Sequence, residues 1–450
     1  SGMRVGLLTM VSLALLLAAP LAACEVEIPP VATQRTADAP PQPSSTPCET
    51  EAPAVARPAT VTPTQGQVQT PSPTPEPQLT GVITVWHSID QANSPAVEEI
   101  LQAFMERNPN VGFRVSYVPE SQMSQRLADA TANGSGPDLV IATDRFARPW
   151  RDQALIQDLA PLPDGAAMWE GLDPLALSLV QDDDAVLGLP LTLHGMVLLR
   201  NRALVAEASA TWEELIAAAQ AATQGDVAGA RLDRGMAYTG AHLIAMGGAY
   251  ADEQGQPAFA DEHGLAWIAL LRAYEQADPG ATLNQPADAI EAFAAGKVGY
   301  LVASSERIPH LADAIGAGNL AVDPWPTWQG QPMAGFLHAN VAYLGRCAAG
   351  ARQEIALAFM RYLAGEAAQG LFGAYRQIPA RAGVTVQDPL QQEVAAIIPH
   401  LVPLAPAIPS LAYVTELDKA LAWILGEGGD PQAGLDVAAD ALRSAMEASP

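Results

Sequence analysis

Val82-Ile83-Thr84-Val85-Trp86 is a mainly apolar stretch typical of a buried strand, and ordered structure is predicted to begin just before it, at Gly81. Ser94-Pro95 predicts an N-cap followed by a first-turn proline, and the helix that they start is predicted to end before Asn108. A second strand over 113–118, a second helix and a third strand over 139–141 follow. This β-α-β-α-β order predicts a parallel sheet flanked by helices.

The same alternation continues along the rest of the chain. Thr211 and Glu214 form the pattern of a capping box, which predicts a helix over 215–222. A helix over 287–295 and a strand over 298–302 follow. The chain is therefore predicted to be an α/β protein, and its length leaves room for two lobes after the N-terminal segment.

The N-terminus has the layout of a secretory signal. Arg4 precedes an apolar run over 5–19, and Leu21-Ala22-Ala23 stands directly before Cys24. This order resembles the bacterial lipoprotein signal, which implies a signal peptide over 1–23 and lipidation of Cys24. The alternative is a plain secretory signal with an incidental cysteine, since the run is too short to span a bilayer. Ser1-Gly2, before the first methionine, resembles a tag.

A segment rich in proline, threonine and serine extends over 24–79. Such a composition cannot bury enough apolar surface to offset the entropy cost of ordering, so a disordered linker is predicted. With a lipidated cysteine at its start, this linker would tether the folded part to a membrane. The alternative is a spacer without a mechanical role.

Charge and cysteine usage exclude several classes of function. A formal net charge of −26 argues against binding to nucleic acid or to anionic lipid surfaces. A disulfide between Cys48 and Cys347 would tie the linker to the fold, so we expect two free thiols. The chain has no spacing typical of a zinc site and no nucleotide-binding motif, so no metal or cofactor is expected.

Several short fragments resemble a known family in their order and spacing. The fragments are Ile83-Thr84-Val85-Trp86, Gly136-Pro137-Asp138-Leu139-Val140, Asp144-Arg145-Phe146, Thr211-Trp212-Glu213-Glu214-Leu215, Ala292-Phe293-Ala294-Ala295-Gly296-Lys297 and Trp325-Pro326-Thr327-Trp328-Gln329-Gly330-Gln331-Pro332. They identify the chain as a member of the type 1 extracellular solute-binding proteins of ATP-binding-cassette (ABC) importers. Within that family it is similar to the maltose/maltodextrin-binding members.

The resemblance implies a two-lobed periplasmic-binding-protein fold of type II, in which strands cross between the lobes and a hinge closes over a solute. The crossings are expected near 192–196, 302–305 and 346–352. The expected lobes are 80–193 with 304–347 for the first, and 197–302 with 350–450 for the second.

Three polar residues follow predicted strands: Asp90 after the first strand, and Asp144 and Arg145 after the third. Open α/β sheets bind ligands at these strand ends, and carboxylates and arginine make strong hydrogen bonds. The resemblance implies that all three contact a sugar. The residues alone favour the alternative, in which Asp90 is a loop carboxylate and Asp144 and Arg145 form a surface ion pair.

The chain departs from the family at other expected contacts. Gln91, His194 and Glu306 replace a lysine, a glutamate and a tryptophan of the family pattern. Thr415 replaces a stacking tryptophan, although Tyr413 lies nearby. Because stacking aromatics are absent from their usual positions, a mono- or disaccharide-sized solute is expected rather than a long maltodextrin.

Three further aromatic residues are candidates. Trp86 ends the first strand, where it either faces the cleft or packs below it, and Tyr238 and Phe336 lie where the family places contacts. Asp182-Asp183-Asp184 is predicted to be a turn, because adjacent acids do not have the spacing of cation ligands.

The motifs of hydrolases, metalloproteases and nucleotide-binding enzymes do not occur, so the chain is not expected to be an enzyme. The resemblance implies a monomeric receptor that delivers a solute, expected to be a carbohydrate, to ABC permease subunits. It would be lipid-anchored at the periplasmic or extracellular face of a bacterial cell membrane. The alternatives are a sensory lipoprotein that presents solute to a membrane signalling protein, and a receptor for a cationic or phosphorylated solute.

Overall fold

The computed structural model describes residues 78–91, 93–163, 165–284, 286–404 and 410–448. The predicted signal peptide, the lipidation of Cys24 and nearly all of the predicted linker lie outside these residues. Within them, no helix has both the length and the apolar character needed to cross a membrane.

Strands and helices alternate along the chain. The strands are β1 (Gly81–His87), β2 (Val111–Tyr117), β3 (Leu139–Thr143), β4 (Gln181–Asp182), β5 (Ala185–Val186), β6 (Leu189–Asn201), β7 (Ala228–Arg231), β8 (Val298–Ser304), β9 (Leu320–Asp323), β10 (Thr327–Trp328), β11 (Gln331–Pro332), β12 (Phe336–Leu344), β13 (Ile378–Pro379) and β14 (Val402–Pro403). The α-helices are α1 (Ser94–Arg107), α2 (Glu120–Ala132), α3 (Ala147–Asp152), α4 (Gly165–Trp169), α5 (Pro174–Ser178), α6 (Trp212–Ala222), α7 (Met236–Ala245), α8 (Glu262–Ala277), α9 (Pro286–Ala294), α10 (Ile308–Ile315), α11 (Gly350–Ala364), α12 (Glu366–Ala374), α13 (Pro389–Ile397), α14 (Ser410–Leu421) and α15 (Pro431–Ala448).

Local signals in the sequence set the ends of several helices. Helix α1 ends at Arg107, as predicted, and has Pro95 in its first turn, but its N-cap is Asn93 rather than Ser94. Before α6, the Thr211 hydroxyl accepts a hydrogen bond from the Glu214 N–H, and the Glu214 carboxylate accepts one from the Thr211 N–H. The predicted capping box is thus confirmed.

The main sheet combines parallel and antiparallel strands. β1 pairs in parallel with both β2 and β3, which confirms the predicted β-α-β-α-β arrangement. β12 inserts antiparallel between β3 and β6, so the order along the sheet is β2-β1-β3-β12-β6-β8-β7. A strand from late in the chain therefore occupies the centre of the sheet.

β6 runs through both lobes as a single strand. Up to Gly195 it pairs with β12, and from Met196 onward it pairs with β8 and β9. The chain packs so tightly at this change of partner that a Cβ atom on Gly195 would lie 2.5 Å from the Phe336 carbonyl oxygen. The change falls within 192–196, where the resemblance places the first crossing.

Two hydrophobic cores define the lobes. The first-lobe core includes Ile83, Ile100, Ile141, Leu193 and Phe359. The second-lobe core lies around the rings of Trp212, Trp267, Tyr274, Tyr250 and Tyr413. In the second half of β6, Val197 and Leu199 belong to the first-lobe core and Leu198 belongs to the second-lobe core, so this strand contributes to both.

The structure differs from the expected division of the chain in two places. Trp328, Met333 and Phe336, expected in the first lobe, lie in the second-lobe core. The other difference follows residue 350. We expected 350–450 to belong to the second lobe, but Ile355, Phe359 and Leu363 of α11 pack in the first-lobe core. The Phe359 ring lies 5.1 Å from that of Phe104 on α1. Side chains of α12 and α13 join the same core, so the chain returns to the second lobe only after α13.

Cys347 is buried and disulfide-bonded. The expectation of two free thiols is therefore wrong. The partner of Cys347 lies outside the described residues.

His242 on α7 is fully buried in the second lobe. Its Nδ1 accepts a hydrogen bond from the Ala334 N–H at 3.1 Å, and its Nε2 lies 2.8 Å from the Tyr274 hydroxyl. Burial lowers the pKa of His242 to about 3. The imidazole is therefore neutral in the folded protein at physiological pH.

We expect the protein to lose stability below neutral pH because of His242. An unfolded histidine titrates near pH ~6.5, so the unfolded state takes up a proton that the folded state excludes. The His242 contribution is complete above that pH and is lost as the pH falls toward the folded pKa. Denaturant unfolding should show a decrease of about 2 kcal/mol from this residue between pH ~6.5 and ~5.

One variant separates this effect from other titrations. His242→Gln should flatten the pH dependence of stability, because glutamine does not titrate. Equal slopes for the wild type and His242→Gln would contradict the prediction.

Candidate functional site

A cleft opens where the first-lobe strands end and β6 changes partners, with a cavity volume of about 310 Å³. The side chains that line it come from separate parts of the chain, among them Asp90 after β1, Tyr117 at the end of β2, Arg145 after β3, His194 on β6 and Glu306 after β8. The carboxyl ends of the parallel strands thus meet at one ligand-sized opening, as expected for an open α/β sheet.

Asp144 lies buried beneath this cleft. One of its oxygens accepts hydrogen bonds from the Ala339 N–H at 2.9 Å, from His338 Nδ1 at 3.2 Å and from the Thr143 hydroxyl at 3.2 Å. Burial alone raises the pKa of Asp144, but His338 and the Ala339 N–H lower it overall. Asp144 is therefore ionised, and it orients His338, whose side chain lines the cleft.

Arg145 does not pair with the adjacent Asp144, contrary to the surface ion pair considered from the sequence. It forms an ion pair with Glu120, at the start of α2. On another side of the cleft, Arg307 Nη1 lies 3.8 Å from Asp90 Oδ2. Each of these cleft carboxylates therefore has an arginine partner.

A second histidine–carboxylate pair lies at the crossing strands. His194 Nε2 is 3.4 Å from Glu306 Oε2, and Glu306 Oε1 accepts a hydrogen bond from Asn340 Nδ2 at 2.8 Å. Asn340 Nδ2 also lies 3.1 Å from the Thr192 hydroxyl. His194 faces His338 across the β6–β12 pair, with ring centroids 5.9 Å apart.

Burial lowers the pKa of His194, and this outweighs the opposite effect of Glu306. The ring is therefore neutral near pH 7. Its Nδ1 atom is buried without a hydrogen-bond partner among the described residues. A neutral imidazole can donate or accept a hydrogen bond, which suits a ligand hydroxyl group.

The second lobe contributes fewer polar groups to the cleft. Met196 on β6 and Ala237 on α7 line it. The neighbouring Tyr238 is partly buried, and burial raises its pKa to about 12, with Arg145 and Arg307 acting in the opposite direction. The Tyr238 hydroxyl therefore keeps its proton and can donate a hydrogen bond.

The remaining sequence candidates lie elsewhere. Phe336 and Tyr413 are buried in the second-lobe core, where the Tyr413 ring meets that of Tyr250 edge to face. Trp86 is partly buried against the first-lobe core, and Gln91 is exposed before α1. None of these four side chains lines the described cavity.

The structure adds Asn340 and Tyr117 to the site, which sequence reasoning does not identify. His338 and Asn340 occupy alternate positions in the apolar strand β12. Polar residues two apart in an otherwise apolar strand share one face, and this pattern would have indicated a polar site. Tyr117 has no comparable signal, because an aromatic residue at a strand end is common.

The acidic triplet Asp182-Asp183-Asp184 forms the turn between β4 and β5, as predicted. Arg148 Nη1 and Arg151 Nη1 lie 2.8 Å and 2.5 Å from the Asp182 carboxylate. Asp183 has a positive φ of 54°, which suits a tight turn. Among the described residues, no group of three or more histidine, cysteine or acidic side chains is arranged to hold a metal ion.

The family described as bacterial extracellular solute-binding protein matches this chain over residues 99–397. The GacH receptor of Streptomyces glaucescens, solved unliganded and with acarbose, is 18% identical; the match covers 83% of this chain and 100% of that chain, with a TM-score of 0.72. The MalE domain from Bdellovibrio bacteriovorus, bound to maltotriose, is 17% identical, with coverages of 82% and 100% and a TM-score of 0.72. A solute-binding protein from Thermotoga lettingae, bound to α-D-tagatose, is 19% identical, with coverages of 80% and 98% and a TM-score of 0.69. These matches confirm the predicted two-lobed fold class.

Proposed function

Because this chain belongs to the bacterial extracellular solute-binding proteins, we propose that it is the solute receptor of an ABC-type importer and that its solute is a small carbohydrate. It would bind the solute between the lobes and present it to the permease subunits as a monomer. Similar proteins have been solved with acarbose, maltotriose and tagatose, which supports a carbohydrate.

The observation that carries the proposal is the position of the polar cleft at the crossing strands. His194 lies one residue before the point where β6 leaves the first-lobe sheet, and Glu306 follows the end of β8. A solute bound to these side chains touches the segments that must bend when the lobes close. Binding and closure are thereby coupled, as in hinge proteins.

The charges around the cleft favour a neutral solute. Asp90 and Glu120 are paired with arginines, and Glu306 is held by His194 and Asn340. A cationic solute would compete with these partners, whereas the hydroxyl groups of a sugar can hydrogen-bond to them without displacing charge.

A thermal-shift screen tests this function. The full-length protein would be screened against neutral mono- and disaccharides, sugar alcohols, amino sugars and glycerol phosphates. A solute at 100 times its Kd should stabilise the protein by about 2.7 kcal/mol. Stabilisation by amino sugars alone, with an affinity that falls steeply with salt, would contradict the neutral-sugar assignment and leave the receptor fold intact.

We further propose that the protein is anchored through lipidated Cys24 at the outer face of the membrane. Cys24→Ala is expected to move the protein from the membrane fraction to the soluble fraction, because the variant cannot carry the acyl chains that are the proposed attachment. Fractionation and labelling with a radioactive fatty acid would measure this. Ser44→Ala, in the same segment, is the matched control and should remain in the membrane fraction. Absence of acyl label from the wild type would rule the anchor out.

A further inference from the structure

We infer that Tyr117 is the ring-stacking platform of a second sugar subsite at the outer end of the cleft, so that the solute contains at least two linked sugar units. This inference rests on the proposed carbohydrate function. Stacking aromatic residues are absent from their usual positions in this sequence. Tyr117 would supply the missing contact for the apolar face of a sugar ring.

Tyr117 differs from most large aromatic residues of the described chain in its exposure. The largest fully buried side chains are tryptophans, tyrosines and phenylalanines of the two cores, whereas Tyr117 is 56% exposed. Tyr375 and Trp423 are also exposed, at 37% and 40%, but neither lines the cleft. Tyr117 therefore offers an open aromatic surface inside the candidate site.

The Tyr117 ring is held in place from one side. Tyr117 is the last residue of β2 and pairs in register with His87 on β1. The two ring centroids are 5.7 Å apart and the ring planes meet at 65°, so the rings are not stacked on each other. The His87 contact thus orients Tyr117 without covering it, which leaves ring surface available to a ligand.

Tyr117 lies at the opposite end of the cleft from His194 and His338. The cleft crosses the strands in the order β2, β1, β3, β12 and β6. Tyr117 on β2 is three strand steps from His338 on β12, or roughly 14 Å at the usual spacing of strands. A ring stacked on Tyr117 and a ring bound at the inner end would lie on different strands of the cleft, and two linked units match this spacing of the backbones.

The chemistry of the two ends is complementary. The inner end offers imidazole, carboxylate and amide groups for hydroxyls, through His194, His338, Glu306 and Asn340. At the outer end, Glu120 begins the helix that follows β2 and also lines the cleft. An aromatic face beside a carboxylate suits a sugar ring, which has an apolar face and a hydroxyl-bearing edge.

Calorimetric titration of Tyr117 variants tests the inference. The probes are D-glucose, D-galactose, D-mannose and D-xylose, with maltose, cellobiose, lactose, mannobiose and xylobiose. The preferred disaccharide is the one that binds the wild type most tightly. We expect Tyr117→Ala to weaken binding of that disaccharide about tenfold, and to change the affinity for its constituent monosaccharide less than about twofold. Tyr117→Phe, which keeps the ring, should bind as the wild type does.

Tyr375→Ala is the matched control, because it removes an exposed tyrosine outside the cleft. The melting temperature of unliganded Tyr117→Ala should equal that of the wild type, since a purely structural role would lower it. Unchanged disaccharide affinity in Tyr117→Ala, or an equal loss for the monosaccharide, would overturn the second subsite and leave the receptor function standing. Failure of every probe to bind the wild type would overturn the carbohydrate function itself.

Discussion

Asp144→Ala is expected to weaken carbohydrate binding about tenfold or more, although Asp144 itself lies beneath the cleft. Its carboxylate holds His338 and the Ala339 N–H, and the variant leaves both without their partner. Loss of one charge-assisted hydrogen bond typically costs about 1.5–3 kcal/mol, and a freed imidazole no longer presents a fixed donor or acceptor to the solute. Calorimetry with the carbohydrate identified by thermal shift would measure the loss.

Two variants define what Asp144 contributes. Asp144→Asn keeps an oxygen for the Ala339 N–H and loses the charge, so its affinity should lie between those of the wild type and Asp144→Ala. Asp183→Asn changes an acid in the β4–β5 turn, tolerates the positive φ there and should bind as the wild type does. Wild-type affinity in Asp144→Ala would show that the orientation of His338 does not matter for binding.

Asp323→Ala is expected to cause the largest loss of stability, about 3–5 kcal/mol. Arg200 on β6 donates two hydrogen bonds to the Asp323 carboxylate, at 2.6 Å and 3.0 Å, and both side chains are almost fully buried. Arg200 also donates to the Val205 and Ala206 carbonyl oxygens. Removal of the carboxylate leaves a buried positive charge without its counter-ion, and denaturant unfolding would measure the cost.

Replacement of both partners should restore much of that stability. In Arg200→Met with Asp323→Leu, apolar side chains of similar size fill the site and no charge is left unpaired. Asp226→Ala, which breaks the exposed pair with Lys297, should leave the unfolding midpoint unchanged. If Asp323→Ala unfolds at the wild-type midpoint, the pair does not stabilise the second lobe.

Local structure could be predicted from the sequence because its causes lie close together in the chain. The limits of α1 follow from Pro95 and Asn108, and the start of α6 follows from Thr211 and Glu214. The division into lobes depends on contacts between distant residues. The pattern of Ile355, Phe359 and Leu363 predicts a helix with one apolar face, but it does not indicate which core that face meets.

The candidate site shows the same limit. Asp90 and Arg145 could be located because both follow strands that end at the cleft. The pairing of Asp144 with His338 joins residues 194 positions apart, so the adjacent Arg145 was the more obvious partner in the sequence. Phe336 and Tyr413 were candidates by position in the family, and their burial in the second-lobe core follows from packing that the sequence does not reveal.

Because β12 lies at the centre of the sheet, it affects which lobe of the nascent chain can fold first. β12 separates β3 from β6, and α11 to α13 cover the same core, so the first lobe lacks its middle strand until residue 344 has left the ribosome. An N-terminal domain usually folds before the rest of the chain has been synthesised, but the first lobe cannot do so here. Because the second-lobe core also includes side chains of α14 and α15, both lobes become complete only near the end of translation.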